Sequence, residues 1–430
     1  MKNKEEYPRI TVIIPEKNRA EYLGWTLKTC IMQEYPNFEI IVSDDCSDDN
    51  SAEVALEMAK IDSRIRVFAH DHHLGMRDNF EFALSQVQPG YVFALGGDDG
   101  ICAGGVQRMY ELLTESGREL LCWSRTPYYY TNNAGNPGRL QLQRKDMELK
   151  ILRSEDYLNK VAKTFNYLIN ECPMFYIKGI ASTNLIERVK ARTPDHCFYQ
   201  CPTPDGFSGV ILAGEVEDYA YTNEPLAIAG VTDKSQGIVY MRKDEKSRVQ
   251  SEEFFNDNIR RTMHAELASQ PYSPFIELMS ADYLLTARDL PGWPGKFEMF
   301  KFEDLIKACF KMLEKTPYEN EVLIREMRIV REIAKQHGLL DLFNDLYVKT
   351  KRKITKQRKF QGFLLTPRTI IMGNEDIGIN NVYEAAMVTP ALYKLSHKVS
   401  SISLKDIVKR FIEIKKANND YSLEGLPQLD

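Results

Sequence analysis

The sequence predicts an α/β fold in its first half, with a mostly parallel sheet covered by helices, and a mainly helical second half. Short, continuously apolar runs alternate with amphipathic helical patterns up to about residue 123, which is typical of strands that are buried on both faces. Glycine and aspartate cluster where two of these runs end. After about residue 240, helical patterns dominate. We therefore expect two domains, at 1–237 and 238–430.

The predicted elements follow one another in order. Strands are predicted at 9–14, 38–43, 64–68, 91–95 and 120–123, and helices at 20–32, 51–60, 76–85 and 105–114. The polar, glycine- and asparagine-containing segment 124–150 predicts a hairpin or a flexible loop, and 151–235 predicts mixed α/β structure. In the second half, helices are predicted at 251–267, 273–287, 302–314, 320–337, 339–349 and 404–416.

Composition restricts the class of protein. The 430 residues carry a net charge of −5, which indicates no nucleic-acid partner. No apolar run approaches the roughly 18 residues needed to span a bilayer, and the charged N-terminus lacks the apolar core of a signal peptide. We expect a cytoplasmic protein whose eight cysteines are reduced.

Two acidic pairs stand at the ends of predicted strands. Asp44 and Asp45 end the second strand, and Asp98 and Asp99 follow the fourth. Because ligands bind at the carboxyl ends of parallel strands, both pairs are expected on one rim, where a cation or ligand must balance their charge. Glycines flank Asp98 and Asp99 and would let the backbone approach a ligand closely. For residues 48–50, helix capping is the preferred interpretation.

Five motifs in the first 100 residues resemble those of family 2 glycosyltransferases, which have the GT-A fold. In order they are Ile13-Ile-Pro-Glu-Lys-Asn-Arg19, Ile31-Met-Gln-Glu-Tyr-Pro-Asn-Phe-Glu-Ile40, Val42-Ser-Asp-Asp-Cys-Ser-Asp-Asp49, Leu74-Gly-Met-Arg-Asp-Asn79 and Leu95-Gly-Gly-Asp-Asp-Gly100. Each motif is weak alone, but five in order at family-like spacing form a specific signal. The resemblance covers roughly residues 1–230.

The resemblance implies a nucleotide-sugar donor and a Mn²⁺ or Mg²⁺ ion, which would neutralise the leaving diphosphate. It implies that Asp99 ligates the metal, and that Asp98 contacts the ribose or the metal. It also implies that Asp45 accepts the ring N–H of the base, with Asp44 as a less certain neighbour. The remaining residues expected in the nucleotide pocket are Pro15, Glu16, Asn18 and Arg77.

Lys17 departs from the family pattern, because the family usually has an aromatic residue there that stacks on the base. Stacking is lost or becomes a cation–π-like contact. The resemblance favours UDP as the nucleotide, and dTDP and GDP stay open.

An inverting transfer needs a general base for the proton of the acceptor hydroxyl. The resemblance implies an Asp or Glu near residue 200, just before a helix. Asp205 follows a proline and precedes a helical pattern, so it is the first candidate, with a plain helix cap as the other interpretation. Asp195, Glu217 and Asp218 remain alternatives.

Several features have two interpretations. Trp123 and the tyrosines at 128–130 could stack on sugar rings or pack in the core. The segment from Lys349 to Lys359 holds seven Lys or Arg and could touch an anionic membrane or a lipid-diphosphate acceptor, or form a solvated face. The helical half could dimerise, dock on a membrane or build the acceptor site.

The leading hypothesis is an inverting, metal-dependent glycosyltransferase that adds a sugar to a glycan or lipid-linked acceptor in surface polysaccharide synthesis. A nucleotidyltransferase is an alternative, but it would need a glycine-rich loop after the first strand, and residues 15–19 contain no glycine. A non-catalytic nucleotide-sugar-binding module is a second alternative. Loss of an acidic pair would have favoured it, and both pairs are intact.

Overall fold

The computed structural model of this chain describes residues 7–131, 138–143, 145–235, 252–258, 261–313, 320–350, 363–365 and 369–398. The helix predicted at 404–416 and most of the basic segment that ends at Lys359 lie outside these residues. Within the described ranges, no helix combines the length and the apolar composition that crossing a membrane requires.

Strands and helices alternate through the first part of the chain. The strands are β1 (Ile10–Glu16), β2 (Phe38–Asp44), β3 (Ile65–Ala69), β4 (Tyr91–Ala94), β5 (Gly100–Ile101), β6 (Leu120–Trp123), β7 (Pro127–Tyr129), β8 (Arg139–Gln143), β9 (Lys150–Arg153), β10 (Gly179–Ser182), β11 (Asp218–Thr222), β12 (Ala227–Val231), β13 (Phe363–Leu365) and β14 (Thr369–Gly373). The helices are α1 (Ala20–Ile31), α2 (Ser51–Ile61), α3 (Met76–Ser85), α4 (Gly105–Ser116), α5 (Ser154–Thr164), α6 (Thr183–Lys190), α7 (Pro204–Glu215), α8 (Ile276–Arg288), α9 (Phe302–Leu313), α10 (Asn320–Gln336), α11 (Leu340–Lys349), α12 (Asn374–Ile377) and α13 (Val382–Lys398).

The main sheet has eight strands in the order β3-β2-β1-β4-β10-β6-β11-β9. Strands β1 to β4 run parallel, and β10 runs antiparallel to both β4 and β6. Strand β6 therefore points the same way as β4, and β11 is parallel to β6. The apolar strands are buried on both faces, which confirms the predicted α/β fold with a helix-covered, mostly parallel sheet.

A second sheet has the order β13-β14-β8-β7-β12-β5. Strands β7 and β8 pair antiparallel, so the polar segment 124–150 contains a hairpin. Strand β12 pairs with β7 and with β5, which directly follows the Asp98-Asp99 turn. The second sheet therefore joins the acidic turn to the C-terminal strand β14, which pairs with β8.

The two halves of the chain share their hydrophobic cores. Helix α8 packs against α5 and α7, and Phe275 and Tyr283 belong to the same buried cluster as Phe207 and the β1 strand. Helix α13 packs against α1 and β5. The expected division into 1–237 and 238–430 therefore does not separate two cores, because β14 and α13 return to the first half.

One predicted helix is wrong. Instead of a helix over 251–267, the described residues show a short helix at 252–257, a bridge between Thr262 and Pro271 and a 3₁₀ turn at Ala265–Leu267. The backbone N–H of His264 donates to Asp282 Oδ1 at 2.6 Å. This tertiary hydrogen bond and the bridge use backbone groups that a continuous helix would need.

Candidate active site

The topology brings several loops to one rim of the main sheet. The parallel strands β1, β2, β4, β6 and β11 all end there, and the antiparallel β10 begins there. Helix α7 leads back to the start of β11, so its N-terminus also lies at this rim. The predicted acidic pairs and Asp205 therefore come together on the edge where ligands bind in such sheets.

Asp99 is fixed by the backbone around it. The N–H of Gly96 donates to its Oδ2 at 2.7 Å, and the N–H of Gly230 in β12 donates to its Oδ1 at 2.8 Å. The Tyr176 hydroxyl adds a hydrogen bond to the same carboxylate. Only 1% of the residue is exposed, so its carboxylate holds one orientation.

Among the described residues, only one carboxylate oxygen of Asp98 accepts a hydrogen bond. The Thr232 hydroxyl donates to its Oδ2 at 2.8 Å, and no described residue donates to its Oδ1. Because both oxygens of Asp99 already accept main-chain hydrogen bonds, the geometry does not favour Asp99 over Asp98 as a ligand. Both carboxylates are suited to a hard divalent cation.

Glycines are required around this pair. A Cβ on Gly96 would lie 2.6 Å from Tyr176 Oη, 3.0 Å from Asp99 Oδ2 and 3.1 Å from Asp98 Oδ1. A Cβ on Gly230 would lie 1.8 Å from the Asp98 carbonyl oxygen. The oxygens of Asp98, Asp99 and Tyr176 therefore converge above a position that only glycine can occupy.

The electrostatics of the pair favour a cation. Burial raises the pKa of Asp99, and the neighbouring Asp98 charge raises it further. Two adjacent carboxylates that are withdrawn from water repel each other unless a proton or a cation lies between them. The donor set of Asp98 and Asp99 therefore fits Mn²⁺ or Mg²⁺.

Asp45 is engaged by the loop that precedes α3. Its oxygens accept the N–H groups of Leu74 at 2.6 Å and Gly75 at 3.1 Å, and His73 Nδ1 lies 2.9 Å from its Oδ2. A base N–H could reach this carboxylate if it replaced His73. Its role toward a nucleotide stays a prediction.

Glu16 and Asp44 form a buried pair of carboxyl groups, because β1 and β2 align them side by side. Only 5% of Glu16 is exposed, and neither of its oxygens nor Asp44 Oδ2 has a hydrogen-bond partner among the described residues. Burial raises the pKa of Glu16 to about 10, and the neighbouring Asp44 raises it further. Asp44 also accepts the N–H of Ser47 at 3.0 Å.

The turn after β1 is held by Asn18, whose φ of 56° is left-handed. Its Oδ1 accepts the N–H of Asp48 at 2.8 Å, and its own N–H donates to Ser47 Oγ at 2.8 Å. Pro15 is buried in β1. Lys17 pairs with Glu253, a residue of the short helix at 252–257, and its Nζ lies 3.3 Å from His73 Nδ1.

Arg77 was expected near the base or the phosphates, but the structure gives it other partners. Its Nε donates to the Tyr199 carbonyl at 2.6 Å, and its two Nη atoms pair with Asp78 at 2.6 Å and Asp195 at 3.0 Å. These hydrogen bonds and ion pairs hold the loop before α7. None of them supports the predicted contact between Arg77 and a nucleotide.

The cap interpretation for residues 48–50 fits the hydrogen bonds of Asp49. Its Oδ1 accepts the N–H of Ser51 at 3.0 Å, and its Oδ2 accepts the N–H of Ala20 at 3.2 Å. One carboxylate therefore serves the first turns of both α1 and α2.

Asp205 lies in the first turn of α7, two residues after the N-cap Thr203. Burial raises the pKa of its carboxyl group, while its backbone hydrogen bonds and the exposed Arg125 act in the opposite direction. The Ser208 hydroxyl donates to the Asp205 carbonyl and accepts the N–H of Phe175 at 2.9 Å. Asp205 is thereby joined to the segment that carries Tyr176.

The alternative bases are less suitably placed. Asp195 pairs with Arg77, and Asp218 pairs with Arg118. Glu217 follows the far end of α7, and a rise of about 1.5 Å per residue separates the two ends of this helix by roughly 15 Å or more. Asp205 is the candidate that faces the rim.

The aromatic candidates have different surroundings. Trp123 is 0% exposed and packs edge-on against Phe93, so its side chain belongs to the core and not to a sugar-binding surface. Tyr128 is also buried and accepts a hydrogen bond from Asn374 at 2.9 Å. Tyr130 is only partly buried, and burial, followed by the charge of Asp98, raises the pKa of its phenol.

Sequence reasoning missed Tyr176, Gly230 and Thr232. Gly230 and Thr232 lie in the segment 151–235, for which the sequence predicts mixed α/β structure, but nothing in that sequence indicates that they lie beside Asp98 and Asp99. Tyr176 belongs to no motif. Only the fold brings these residues to the acidic turn.

Residues 11–177 match the sequence model of glycosyl transferase family 2. The chain is 29% identical over 130 residues to the glycosyltransferase TuaG of Bacillus subtilis, which is named for teichuronic acid biosynthesis. It is 31% identical over 109 residues to a GalNAc(5)-diNAcBac-PP-undecaprenol β-1,3-glucosyltransferase of Campylobacter jejuni. These matches cover 30% and 25% of this chain, and 50% and 35% of the two relatives.

Solved structures also align with the chain. One is Staphylococcus aureus TarS 1–349 in complex with UDP-GlcNAc, at a TM-score of 0.44 and 16% identity over 84% of this chain and 95% of that one. Another is the mannosyltransferase PcManGT of Pyrobaculum calidifontis with GDP-Man and Mn²⁺, at a TM-score of 0.38 and 14% identity over 81% of this chain and 89% of that one.

Proposed function

From the match of residues 11–177 to the model of glycosyl transferase family 2, we propose that the chain is an inverting, metal-dependent glycosyltransferase. It moves a sugar from a nucleotide-sugar donor to a glycan or lipid-linked acceptor. The observation that carries the proposal is the rim where Asp98 and Asp99 lie beside Tyr176, while hydrogen bonds of Ser208 join the neighbouring Phe175 to the turn of Asp205. This rim holds a pair of carboxylates suited to a cation and a further carboxylate suited to accept a proton.

Asp98 and Asp99 would hold the divalent ion, which neutralises the negative charge that grows on the leaving diphosphate. Their carboxylates would stay oriented because Gly96, Gly230 and Thr232 donate to them. A ligand set that is fixed before binding loses little freedom when the donor arrives.

Asp205 would accept the proton of the acceptor hydroxyl as its oxygen attacks the anomeric carbon from the face opposite the diphosphate. This in-line attack inverts the anomeric centre. A raised pKa makes the carboxylate a stronger base than a surface aspartate. Its place at the start of α7 favours the ionised form that the step requires.

The donor is proposed to be a UDP-sugar, with Asp45 and its neighbours Pro15, Glu16, Asn18 and Asp44 near the base. One relative is named for teichuronic acid biosynthesis and the other for a glucosyltransferase that acts on GalNAc(5)-diNAcBac-PP-undecaprenol, and these names support a role in surface polysaccharide or glycolipid synthesis. The cell compartment is proposed to be the cytoplasm, and the helical half could join copies of the chain.

Contact with the membrane surface is a further part of the proposal. Tyr347 and Val348 are 60% and 84% exposed near the end of α11, directly before the basic segment that runs to Lys359. Exposed apolar side chains beside a run of Lys and Arg favour the surface of an anionic membrane.

Thermal shift with nucleotides tests this function. UDP, GDP, dTDP and CDP are each added with and without Mn²⁺. A ligand that binds only the native state stabilises it by about 2.7 kcal/mol at 100 times its Kd, which raises the melting temperature by several degrees. We expect the largest rise with UDP and Mn²⁺ together.

The double variant Asp98→Asn/Asp99→Asn is the matched control. It should lose the part of the shift that depends on Mn²⁺. If no nucleotide gives a Mn²⁺-dependent shift in the wild-type protein, the proposed function is wrong.

A further inference from the structure

Tyr176 links the two parts of the site, although it lies in none of the motifs. Its hydroxyl hydrogen-bonds the Asp99 carboxylate and lies, like Asp99 Oδ2 and Asp98 Oδ1, within about 3 Å of the position that a Gly96 Cβ would occupy. Its ring packs against Phe80, with the centroids 6.1 Å apart. The residue is only partly buried.

The backbone that presents Tyr176 is strained. Ile177 has a φ of 61°, which is a genuine outlier for a β-branched residue. Its N–H donates to the Ala94 carbonyl at 2.7 Å, and the next N–H, of Lys178, donates to the Tyr176 carbonyl at 2.8 Å. Such strain persists only where the surroundings enforce it, and it is concentrated at functional sites.

The same segment is tied to α7. The N–H of Phe175 donates to Ser208 Oγ, and that hydroxyl donates to the Asp205 carbonyl. Tyr176 is therefore anchored to β4, which leads into Asp98 and Asp99, and to the turn that carries Asp205. It is placed to keep the two carboxylate centres in register.

We propose that Tyr176 is a positioning residue, whose hydroxyl fixes the Asp99 carboxylate for a divalent cation and holds the metal end of the site in register with Asp205. This inference rests on the proposed function. Partners that orient a ligating carboxylate typically change metal affinity about 10- to 100-fold when they are removed.

Tyr176→Phe tests the inference, because it removes one oxygen and keeps the packing on Phe80. Mn²⁺ binding is measured by electron paramagnetic resonance in the presence of UDP. We expect the Kd for Mn²⁺ to rise about 10-fold or more and the spectrum of the bound ion to change. Melting temperature and metal-free UDP affinity should stay at the wild-type values, which a merely structural role would not predict.

Tyr199→Phe is the matched control. Tyr199 also packs against Phe80, at 5.6 Å, but its hydroxyl is buried without a hydrogen-bond partner among the described residues. Its removal should leave Mn²⁺ affinity unchanged. Equal Mn²⁺ affinity in the wild type and Tyr176→Phe would overturn this inference alone, whereas a wild type that binds no Mn²⁺ with any nucleotide would overturn the proposed function and the inference with it.

Discussion

At the scale of single residues, the two ends of the site differ in how their carboxylates are held. Asp99 receives two backbone N–H groups and a phenol, so its geometry is set before any ligand binds. Asp205 lies at a helix start, where burial raises the pKa of its carboxyl group and backbone hydrogen bonds oppose that rise. A fixed ligand and a base of raised pKa are the pair that the proposed transfer needs.

Asp205→Asn should therefore abolish transfer and leave donor binding intact. Removing a general base typically lowers the rate about 10²- to 10⁴-fold, while the amide keeps the size of the side chain. The measurement is nucleoside diphosphate release, with water or an alkyl glycoside as acceptor, alongside the thermal shift with UDP and Mn²⁺.

Glu217→Gln is the control for this prediction, because Glu217 is an exposed carboxylate beyond the other end of α7. It should retain wild-type activity. Full activity in Asp205→Asn would place the base elsewhere.

The raised pKa of Glu16 predicts that the free energy of unfolding depends on pH. Its pKa is raised in the folded protein to about 10, from 4.5, by burial, by the neighbouring Asp44 and by the charge of Asp49, with Arg19 opposing. The protonated group therefore stabilises the fold fully below pH 4.5, and this contribution is lost as the pH rises toward 10. Glu16→Gln stays neutral, so its melting temperature should fall less than that of the wild type between pH 5 and 9. Parallel melting curves across this range would contradict the pKa shift.

At the scale of elements, the local sequence pattern predicts helices and strands correctly where that pattern is strong. The helix predicted at 76–85 is α3 (Met76–Ser85), and the first four predicted strands lie within a residue or two of β1 to β4. The helix predicted at 251–267 is wrong, because the backbone N–H of His264 donates to Asp282 in α8 and not to a carbonyl of its own helix. Two further elements were not predicted from the sequence. One is α13, which contains Pro390, and the other is β14, which pairs with a strand more than 200 residues earlier in the sequence, β8.

The short helix at 252–257 gives Lys17 an explanation that the family pattern did not offer. Lys17 pairs with Glu253, and His73 bridges Asp45 and Asp257, with Nε2 3.0 Å from Asp257 Oδ2. These contacts join the expected base pocket to the second half of the chain. A base that binds Asp45 must therefore compete with His73.

At the scale of the whole molecule, the second half completes the core of the first. Helix α8 covers α5 and α7, and α13 covers α1 and β5. Without them, the faces of α7 and α1 that these helices bury would meet water at a cost of roughly 25 cal/mol per Å² of apolar surface.

A fragment of residues 1–237 should therefore fail to fold cooperatively. We expect aggregation, or rapid proteolysis and a broad thermal transition in circular dichroism, whereas the full chain should unfold in a sharp transition. A soluble fragment that unfolds cooperatively would show that the first half is an independent domain.

The sequence by itself determined the order of strands and helices in the first half, the acidic ends of β2 and β4, and the helical start at Asp205. These features depend on local periodicity and on glycine, proline and aspartate at the ends of elements. Such signals arise from residues that are close together in the sequence. Only the tertiary structure decided that Gly230 and Thr232 hold Asp99 and Asp98, that Tyr176 joins them to Asp205, and that α13 closes the core. These contacts link residues far apart in the chain, and they form because strand direction and burial place the elements side by side.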